Sequence, residues 1–439
     1  MNKNQQADLI VFPRWIVPVE PAQQVFEDHA LVIKAGRIVD LLPADFARQS
    51  WQAKETLELP QHVVIPGLIN IHTHAAMSLL RGLADDLPLM DWLQNHIWPA
   101  EGAHVNRAFC ADGVSLACAE FIRGGVTCFN DMYFFPDATV ESVTAAGMRA
   151  AIGLIVLDFP TAWAQPGEYI NKGLELHDQI KGDPLIRTVF APHAPYTVSD
   201  APLLEIRKYA NELGIPVHMH VHETAGEVEM AVQASGKRPW QRLKDLGVVG
   251  PDLIAVHMTQ LTDAEIAECA EHGVSIAHCP ESNLKLASGF CPVGKLRRAG
   301  VNVALGTDGA ASNNDLDLLG EMKTAALLAK AVANDASALP AHEALHMATL
   351  AGAKALGLDA ETGSLAKGKS ADFIALDLGD VSTQPVYNVI SQLVYAANRA
   401  QVTHSFVAGR CLMRERKLLT LDEPAIIARA QEWRQRVKP

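Results

Sequence analysis

The sequence predicts an α/β protein: a (β/α)8 TIM-type barrel with a small β-sandwich domain formed by both chain ends. Between residues 63 and 360, strand-like apolar runs alternate with helix-like runs, which favours parallel strands covered by helices. Residues 1–62 and 361–439 contain mainly strand-like runs, so we expect them to pair as the two parts of the β-sandwich domain. The second part ends in a predicted helix, Glu423–Val437.

Both ends of the chain contain apolar runs of strand length. The N-terminal part has a turn signal at Ala35–Gly36, inside the second of the runs below. The runs are ADLIVF (7–12), ALVIKAGRIVDLLP (30–43), TLELP (56–60), SLAKGKSADFIALDL (364–378) and VTHSFVAGRCLMRERKLL (402–419).

The barrel prediction depends on eight strand candidates with helix candidates between them. Eight parallel strands joined by crossover helices fit one closed barrel. The strand candidates are VVIPGLINIHTH (63–74), GVTCFNDM (125–132), MRAAIGLIVLD (148–158), LIRTVFAPHAPY (185–196), IPVHMHVHE (215–223), LIAVHM (253–258), VSIAHCP (274–280) and VNVALGTDG (301–309). The helix candidates include Asn106–Arg123, Ala201–Leu213, Ala264–His272 and Pro292–Arg298.

Composition excludes several classes of protein. The chain has 439 residues, 49% of them hydrophobic, which is enough for a large core and a second unit. A net charge of −13 without a basic stripe argues against nucleic acid and anionic membranes as partners. We see neither an apolar run of membrane-spanning length nor a signal peptide, so we expect a cytoplasmic protein. Seven scattered cysteines without CxxC predict reduced thiols.

Polar, titratable residues stand at the ends of the predicted strands. His72 and His74 are two positions apart, so both imidazoles leave the first strand on one face, which suits a divalent transition metal. Taken alone, this pair also fits two buried, hydrogen-bonded histidines. The carboxyl ends of barrel strands meet at one mouth, so further strand-end residues strengthen the prediction of a metal-dependent site. They are His193, His220, Glu223, His257, His278 and Asp308.

The combined motifs resemble the amidohydrolase superfamily, in its nucleoside and aminohydrolase branch. They follow the family order along almost the whole chain: PGLINIHTH (66–74), APHAPY (191–196), HVHET (220–224), AVHM (255–258), AHCPESNLKL (277–286), GTDGAASNN (306–314) and GSLAKGKSADFIALD (363–377). Segment 74–101 is most similar to 5-methylthioadenosine/S-adenosylhomocysteine deaminases. The resemblance implies hydrolytic deamination of such nucleosides, releasing ammonia, by a metal-bound hydroxide. Alternatives on the same fold are deaminases of adenosine, guanine or another base and s-triazine-type chlorohydrolases; a non-catalytic scaffold would lack the ligands.

The resemblance also implies residue roles. Glu223 would shuttle a proton, His257 would hydrogen-bond the reacting water, and Asp308 would take its second proton. One divalent ion per chain, usually zinc, would be bound by His72, His74, His220 and Asp308. The substrate would contact Glu101, His193, Glu223, Asp308 and Ser312. Binuclear relatives use a modified lysine in the fourth strand, which contains none here, so one metal is expected. A homodimer or higher homo-oligomer is implied only by resemblance.

Some assignments stay open on the sequence. His218, His220 and His222 alternate in HMHVHE; the family spacing of a ligand, two residues and Glu favours His220, with His218 as runner-up. His278 fits a pocket wall or a buried core position equally well. His342–His346 spells HExxH, a metalloprotease signature, but it explains none of the strand-end residues, so we reject it.

Overall fold

The computed structural model describes residues 5–437, which form two sheets and their covering helices. The strands are β1 (Gln5–Ile16), β2 (Phe26–Glu27), β3 (His29–Lys34), β4 (Arg37–Pro43), β5 (Trp51–Pro66), β6 (Leu68–Thr73), β7 (Val126–Asp131), β8 (Arg149–Val156), β9 (Ile186–Pro192), β10 (Val217–Val221), β11 (Leu253–His257), β12 (Ser275–His278), β13 (Asn302–Leu305), β14 (Phe373–Asp377), β15 (Val402–Val407), β16 (Arg410–Arg414) and β17 (Lys417–Leu418).

Helices fill most connections between the strands. The α-helices are α1 (Ala44–Ser50), α2 (Leu89–Trp92), α3 (Trp98–His104), α4 (Arg107–Gly124), α5 (Pro136–Ala146), α6 (Tyr169–Ile180), α7 (Asp200–Leu213), α8 (Ala225–Ser235), α9 (Pro239–Asp245), α10 (Asp263–Glu271), α11 (Pro280–Lys285), α12 (Val293–Arg298), α13 (Ala310–Asn313), α14 (Leu318–Ala333), α15 (Ala341–Met347), α16 (Leu350–Ala355), α17 (Val389–Tyr395) and α18 (Glu423–Val437). A π-helix, Leu93–Ile97, joins α2 to α3, and 3-10 helices span Ala75–Leu80 and Arg399–Gln401.

Strands β6 to β13 form the predicted barrel. They are parallel neighbours in chain order, and the first and last strands approach each other. Closure is nearly complete, because the amide of Asp308 donates a hydrogen bond of 3.0 Å to the carbonyl oxygen of His72. All eight predicted strands and the predicted terminal helix are present, which confirms the predicted fold class.

The first predicted strand, 63–74, is two strands in the structure. Val63 to Pro66 end β5 and pair with β14, whereas the barrel begins at Leu68. The break follows from Pro66, which cannot donate to a strand ladder, and from Gly67, where an added Cβ would lie 2.0 Å from Oγ1 of Thr127. The division of the chain into domains at 62/63 and 360/361 stays a prediction.

Both chain ends contribute to one mixed sheet. Its order is β17-β16-β15-β14-β5-β1-β3-β4, with β2 on β1, so a C-terminal strand pairs directly with an N-terminal one. The predicted turn at Ala35–Gly36 bends back onto the C-terminal half, where the amide of Ala371 donates to the Gly36 oxygen at 2.8 Å. Phe373 and Phe406 of the C-terminal strands stack with ring centroids 4.4 Å apart, in a buried cluster that also contains Leu9, Val11 and Leu31 of the N-terminal strands. The sheet therefore encloses its own core beside the barrel.

Helix packing anchors the end of the chain. Trp433 on α18 contacts Phe109 on α4, with ring centroids 5.2 Å apart, and its indole N–H donates to Asp112 at 2.9 Å. Between residues 5 and 437, no helix combines the length and the apolar character needed to cross a membrane.

A buried ion pair joins the barrel to the mixed sheet. Arg149 at the start of β8 donates from Nε to Asp372 at 2.8 Å, and their side chains are 5% and 0% exposed. Asp372 also accepts hydrogen bonds from the Ser370 hydroxyl and the Ala408 amide, both at 2.7 Å. Because Arg149 lies on a barrel strand and the other partners, Ser370 and Ala408, lie beside strands of the mixed sheet, this carboxylate links the two sheets.

We expect Asp372→Ala to lower the free energy of unfolding by roughly 3–5 kcal/mol, because it leaves the Arg149 guanidinium buried without its partner. The control is Glu58→Ala, which removes the Arg48–Glu58 pair, whose side chains are 49% and 53% exposed. It should cost less than about 1 kcal/mol. Urea titrations of both variants measure the difference, and losses of equal size would contradict the prediction.

Candidate active site

Three histidines and one aspartate converge at the carboxyl ends of barrel strands. His72 lies in β6 and His74 directly after it, His220 lies in β10, and Asp308 lies in the segment after β13. Their ligand atoms all lie within 4.8 Å of one another, and within residues 5–437 no other group of three or more such residues does this. Oδ1 of Asp308 is 3.2 Å from Nε2 of both His72 and His74, and Nε2 of His220 is 3.2 Å from that of His72.

Hydrogen bonds to the other ring nitrogens orient these imidazoles. Nδ1 of His74 donates to the Met132 carbonyl at 2.6 Å, and Nδ1 of His220 donates to the His193 carbonyl at 2.7 Å. Such bonds leave each Nε2 with its lone pair toward the cluster, as in metal-binding histidines. The donor set of three nitrogens and one carboxylate oxygen therefore fits a divalent ion with a position open for water.

The protonation states also suit metal binding. Burial lowers the pKa of His72 to about 4 and that of His220 well below its ordinary value, so both rings are neutral. Burial raises the pKa of Asp308, but hydrogen bonds from His72 and His74 outweigh this effect and hold it well below its usual range. Burial also lowers the pKa of His74, but its bond to Asp308 raises it to about 9, so a metal ion competes with that proton.

Neighbouring side chains fix the Asp308 carboxylate. Its Oδ2 accepts hydrogen bonds from the hydroxyls of Ser282, at 2.6 Å, and Ser312, at 2.9 Å, so Oδ1 remains for the histidines. Asn70 accepts from the amides of His72, at 3.3 Å, and Thr307, at 3.1 Å, and so links the two ligand-bearing segments. Sequence reasoning missed Ser282 and Asn70, although both lie inside motifs that it used.

The residues with predicted catalytic and substrate roles line one pocket beside the cluster. The pocket has a volume of about 790 Å³, including its open mouth. Its polar lining is His74, Glu101, Tyr133, His193, Tyr196, His220, Glu223, His257, Asp308 and Ser312. Its apolar lining is Met77, Leu89, Trp92, Leu93, Ile97, Trp98, Met132, Phe134, Ile155, Leu157, Phe159 and Leu286.

Glu223 and His257 stand together in this pocket. Oε2 of Glu223 is 3.7 Å from Nε2 of His257, and both side chains are buried. The Asn283 side chain, 2.8 Å from Nδ1 of His257, fixes the orientation of that ring. Burial raises the pKa of Glu223, so this carboxyl takes up a proton more readily than an exposed glutamate.

Glu101 approaches the same pocket from α3. Its Oε1 accepts a hydrogen bond of 2.7 Å from the hydroxyl of Tyr133, which sequence reasoning did not single out. Burial raises the pKa of Glu101 to about 7. Tyr133 follows β7 at the barrel mouth, and this strand-end position was the signal that could have identified it.

Three further histidines, His218, His222 and His278, lie outside the four-residue cluster. His218 lies behind the cluster, with its Nε2 2.9 Å from Nδ1 of His72. His222 follows the end of β10 with φ of 52°, and its Nε2 accepts from the Trp240 amide at 3.2 Å, away from the cluster. His278 is buried but does not line the pocket, and burial lowers its pKa to about 3.

The pattern of this site matches a known family. A model of the amidohydrolase family matches residues 63–412, which include all four cluster residues. This chain belongs to the amidohydrolase family.

Individual amidohydrolases share its full length. A protein of Saccharophagus degradans named 5-methylthioadenosine/S-adenosylhomocysteine deaminase is 51% identical over 100% of this chain and 98% of its own. A crystal structure described as an adenosine deaminase from Xanthomonas campestris with bound zinc is 53% identical, with a TM-score of 0.98 over 99% of both chains. An atrazine chlorohydrolase of Arthrobacter aurescens complexed with zinc has a TM-score of 0.91 over 97% of this chain and 99% of that one; at 22% identity this likeness shows the fold alone.

The HExxH motif lies elsewhere in this amidohydrolase, on α15. Glu343 accepts a hydrogen bond from Arg297 at 2.9 Å, and Nε2 of His342 lies 3.4 Å from the Gln23 amide nitrogen. Neither histidine of the motif belongs to the four-residue cluster. Its residues therefore take part in packing outside the pocket.

A carboxylate outside the pocket holds Glu223 in place. Oε2 of Glu227 accepts from the amide of Glu223 at 2.7 Å, and its Oε1 accepts from that of His222 at 3.3 Å. Thr224 caps the start of α8 and accepts from the Glu227 amide at 3.2 Å. Glu227 thus closes the turn between β10 and α8, from which Glu223 enters the pocket.

For the metal, we expect about one divalent ion per chain by elemental analysis of the purified protein. His72→Ala and Asp308→Ala should each empty the site, because no neighbour replaces the lost ligand. A His342→Ala/His346→Ala double variant should keep its ion and serves as the matched control. Two ions per chain, none, or loss of metal from a folded double variant would contradict this prediction.

For Glu227, we expect replacement by alanine to lower kcat by about 10–100-fold while the bound metal is retained, because Glu223 loses its backbone support. Glu227→Gln keeps one acceptor oxygen and should recover most of the loss. Glu229→Ala on the exposed face of the same helix is the control and should leave kcat unchanged. Equal rates for the two alanine variants would rule out the positioning role.

Proposed function

We propose that this amidohydrolase hydrolytically deaminates 5′-methylthioadenosine and/or S-adenosylhomocysteine, converting the adenine ring to hypoxanthine and releasing ammonia. One observation carries the proposal. A four-residue metal cluster shares a pocket with Glu223 and His257 in a chain that is 51% identical, along its full length, to a deaminase named for these substrates.

The proposed cofactor is one zinc ion per chain, held by His72, His74, His220 and Asp308. When bound, such an ion lowers the pKa of a water ligand to about 7 and so supplies a nucleophile at neutral pH. Support for zinc comes from the donor set and from the zinc bound in the Xanthomonas structure.

The proposed role of Glu223 is to carry a proton to the purine ring. Addition of water at C6 places negative charge on the ring, so a proton must reach N1 as the new bond forms. The buried Glu223 carboxyl has a raised pKa, which suits a group that first accepts a proton from water and then donates it.

His257 and Asp308 complete the proton transfers in this proposal. The Asn283 side chain fixes the His257 ring with its Nε2 toward Glu223, where it orients the attacking water. Asp308 accepts the second proton and delivers it to the amino group, which then leaves as ammonia. Ser282 and Ser312 donate to Oδ2 of this carboxylate, and its Oδ1 faces His72 and His74 and accepts from the Gly309 amide at 2.8 Å.

We assign substrate orientation to Glu101, His193 and Ser312. Glu101 bonds to Tyr133 through one oxygen, which leaves the second oxygen for a ribose hydroxyl. Burial lowers the pKa of His193 to about 3, so it presents a neutral ring, and its Nδ1 contacts the Thr197 hydroxyl at 2.9 Å. Ser312 lies on α13 and lines the pocket, and its hydroxyl donates to the Asp308 carboxylate at 2.9 Å.

Adenosine is the second candidate substrate, because the 53% identical Xanthomonas structure is described as an adenosine deaminase. A homo-oligomer and a cytoplasmic location stay predictions. The seven cysteines are free in the described part of the chain.

The decisive variant is Glu223→Gln, which keeps the shape of the side chain and removes its proton transfer. We expect kcat for 5′-methylthioadenosine to fall by about 10²–10⁴-fold while metal content and substrate binding persist. Conversion of adenine to hypoxanthine absorbance, with equimolar ammonia, measures turnover. Glu205→Gln, exposed on α7, is the control. If guanine or a chlorotriazine is turned over and adenine nucleosides are not, the substrate assignment is wrong although the metal site stands.

A further inference from the structure

We infer that the pocket selects an uncharged, apolar 5′ substituent, so that 5′-methylthioadenosine is a much better substrate than S-adenosylhomocysteine. This inference rests on the proposed function, which leaves the choice between the two nucleosides open. Both share adenosine and a 5′ sulfur. They differ in the group beyond the sulfur, which is a methyl group in one and a homocysteine arm with an ammonium and a carboxylate in the other.

The first observation is the charge of the pocket wall. Its ionised or ionisable acids are Glu101, Glu223 and Asp308, and its histidines are clustered at the metal end. No lysine or arginine among residues 5–437 lines the pocket. A bound carboxylate would therefore meet like charges and have no cationic partner.

The second observation is an apolar cavity that continues from the pocket. Its volume, including its open mouth, is about 770 Å³, and it shares Trp98, Glu101, Phe134 and Phe159 with the pocket. The rings of Trp98 and Phe159 have centroids 6.4 Å apart, at the junction of the two spaces. The rest of its lining is Gly102, Val105, Pro160, Thr161 and Ala162. Glu101 is thus its one ionisable group within the described chain.

The position of Glu101 indicates what this second cavity holds. The metal cluster and Glu223 fix the base at one end of the pocket, and Glu101 is proposed to hold the ribose. Because Glu101 lines both spaces, a ribose bound to it lies at the junction, and its 5′ substituent continues among Trp98, Phe134 and Phe159.

The chemistry of this cavity favours a thioether over an amino acid. A methylthio group gains burial and sulfur–aromatic contact there and brings no charge. The carboxylate of the homocysteine arm would lose its hydrating water without gaining a cationic partner. The ammonium of the same arm could pair only with Glu101, which is proposed to bind the ribose. The lysine of the adjoining helix, Lys172, is already bonded to the Trp163 carbonyl at 2.5 Å and lines neither cavity.

The test compares kcat/KM of the metal-loaded enzyme for three nucleosides. The third is 5′-butylthioadenosine, whose arm approximates the length of homocysteine but carries no charge. We expect the kcat/KM for 5′-methylthioadenosine to exceed that for S-adenosylhomocysteine by about 30-fold or more, because the carboxylate of the homocysteine arm would be buried without a cationic partner. The butylthio compound should lie much closer to 5′-methylthioadenosine than to S-adenosylhomocysteine.

A pair of variants tests the location of the arm. Ala162 is exposed at the rim of the second cavity, so Ala162→Arg adds a cation there with little disturbance of the fold. It should raise kcat/KM for S-adenosylhomocysteine relative to 5′-methylthioadenosine several-fold. Ala162→Met, of similar length without charge, should not.

Three results would overturn the inference: equal kcat/KM for the two natural nucleosides, a butylthio compound as poor as S-adenosylhomocysteine, or the same ratio in the Arg and Met variants. The second result would mean that size excludes the arm, and the third that the arm lies elsewhere. If no adenine nucleoside is deaminated at all, the proposed function itself fails, and the inference falls with it.

Discussion

The closure of the barrel and the geometry of the metal cluster depend on the same contact. The amide of Asp308 donates to the His72 carbonyl, and Asn70 accepts from both segments, so the first and last strands are joined where their ligands meet. The Asp308 carboxylate then lies between His72 and His74. An ion bound to these ligands would join β6 to the segment after β13, the first and last strands of the barrel. Metal binding and the stability of the closed barrel are therefore thermodynamically linked.

Backbone strain at the strand ends has a structural purpose. His222, His257 and Asp308 have φ of 52°, 73° and 61°, in a region that costs a non-glycine residue roughly 1–3 kcal/mol each. The side chains of His257 and Asp308 line the pocket, and the strained residue His222 is followed by Glu223, which also lines it. The surrounding hydrogen bonds, such as those that Glu227 accepts below Glu223, supply the compensation. The catalytic geometry therefore depends on residues that do not touch the substrate.

The sequence was sufficient for the strand order and the convergence of strand-end residues, because parallel barrel strands bring their carboxyl ends together whatever the details. The break at Pro66–Gly67 had a local signal in the proline that sequence reasoning did not use, whereas the contacts of Gly67 with Thr127 and Asp372 involve residues distant in the sequence. Strand alternation alone could not separate His220 from His218 and His222, which share its face; the family spacing to Glu223 selected His220, and the cluster contains it. Ser282 was missed since a serine has no spacing signal of its own until Asp308 is placed beside it.

The apolar wall of the pocket connects the electrostatics of the site with its selectivity. Desolvation raises the pKa of Glu223 and brings that of Glu101 to about 7, so both carboxyls hold a proton more readily than exposed glutamates do. The same desolvation makes a bound anion without a cationic partner costly, while aromatic and aliphatic surfaces accept a purine ring and a thioether. In the proposed mechanism, the desolvation that suits Glu223 to proton transfer would thus also limit which 5′ substituents can enter. A cation added to bind a charged arm would stabilise the ionised carboxylates and oppose the pKa shift on which the proton transfer depends.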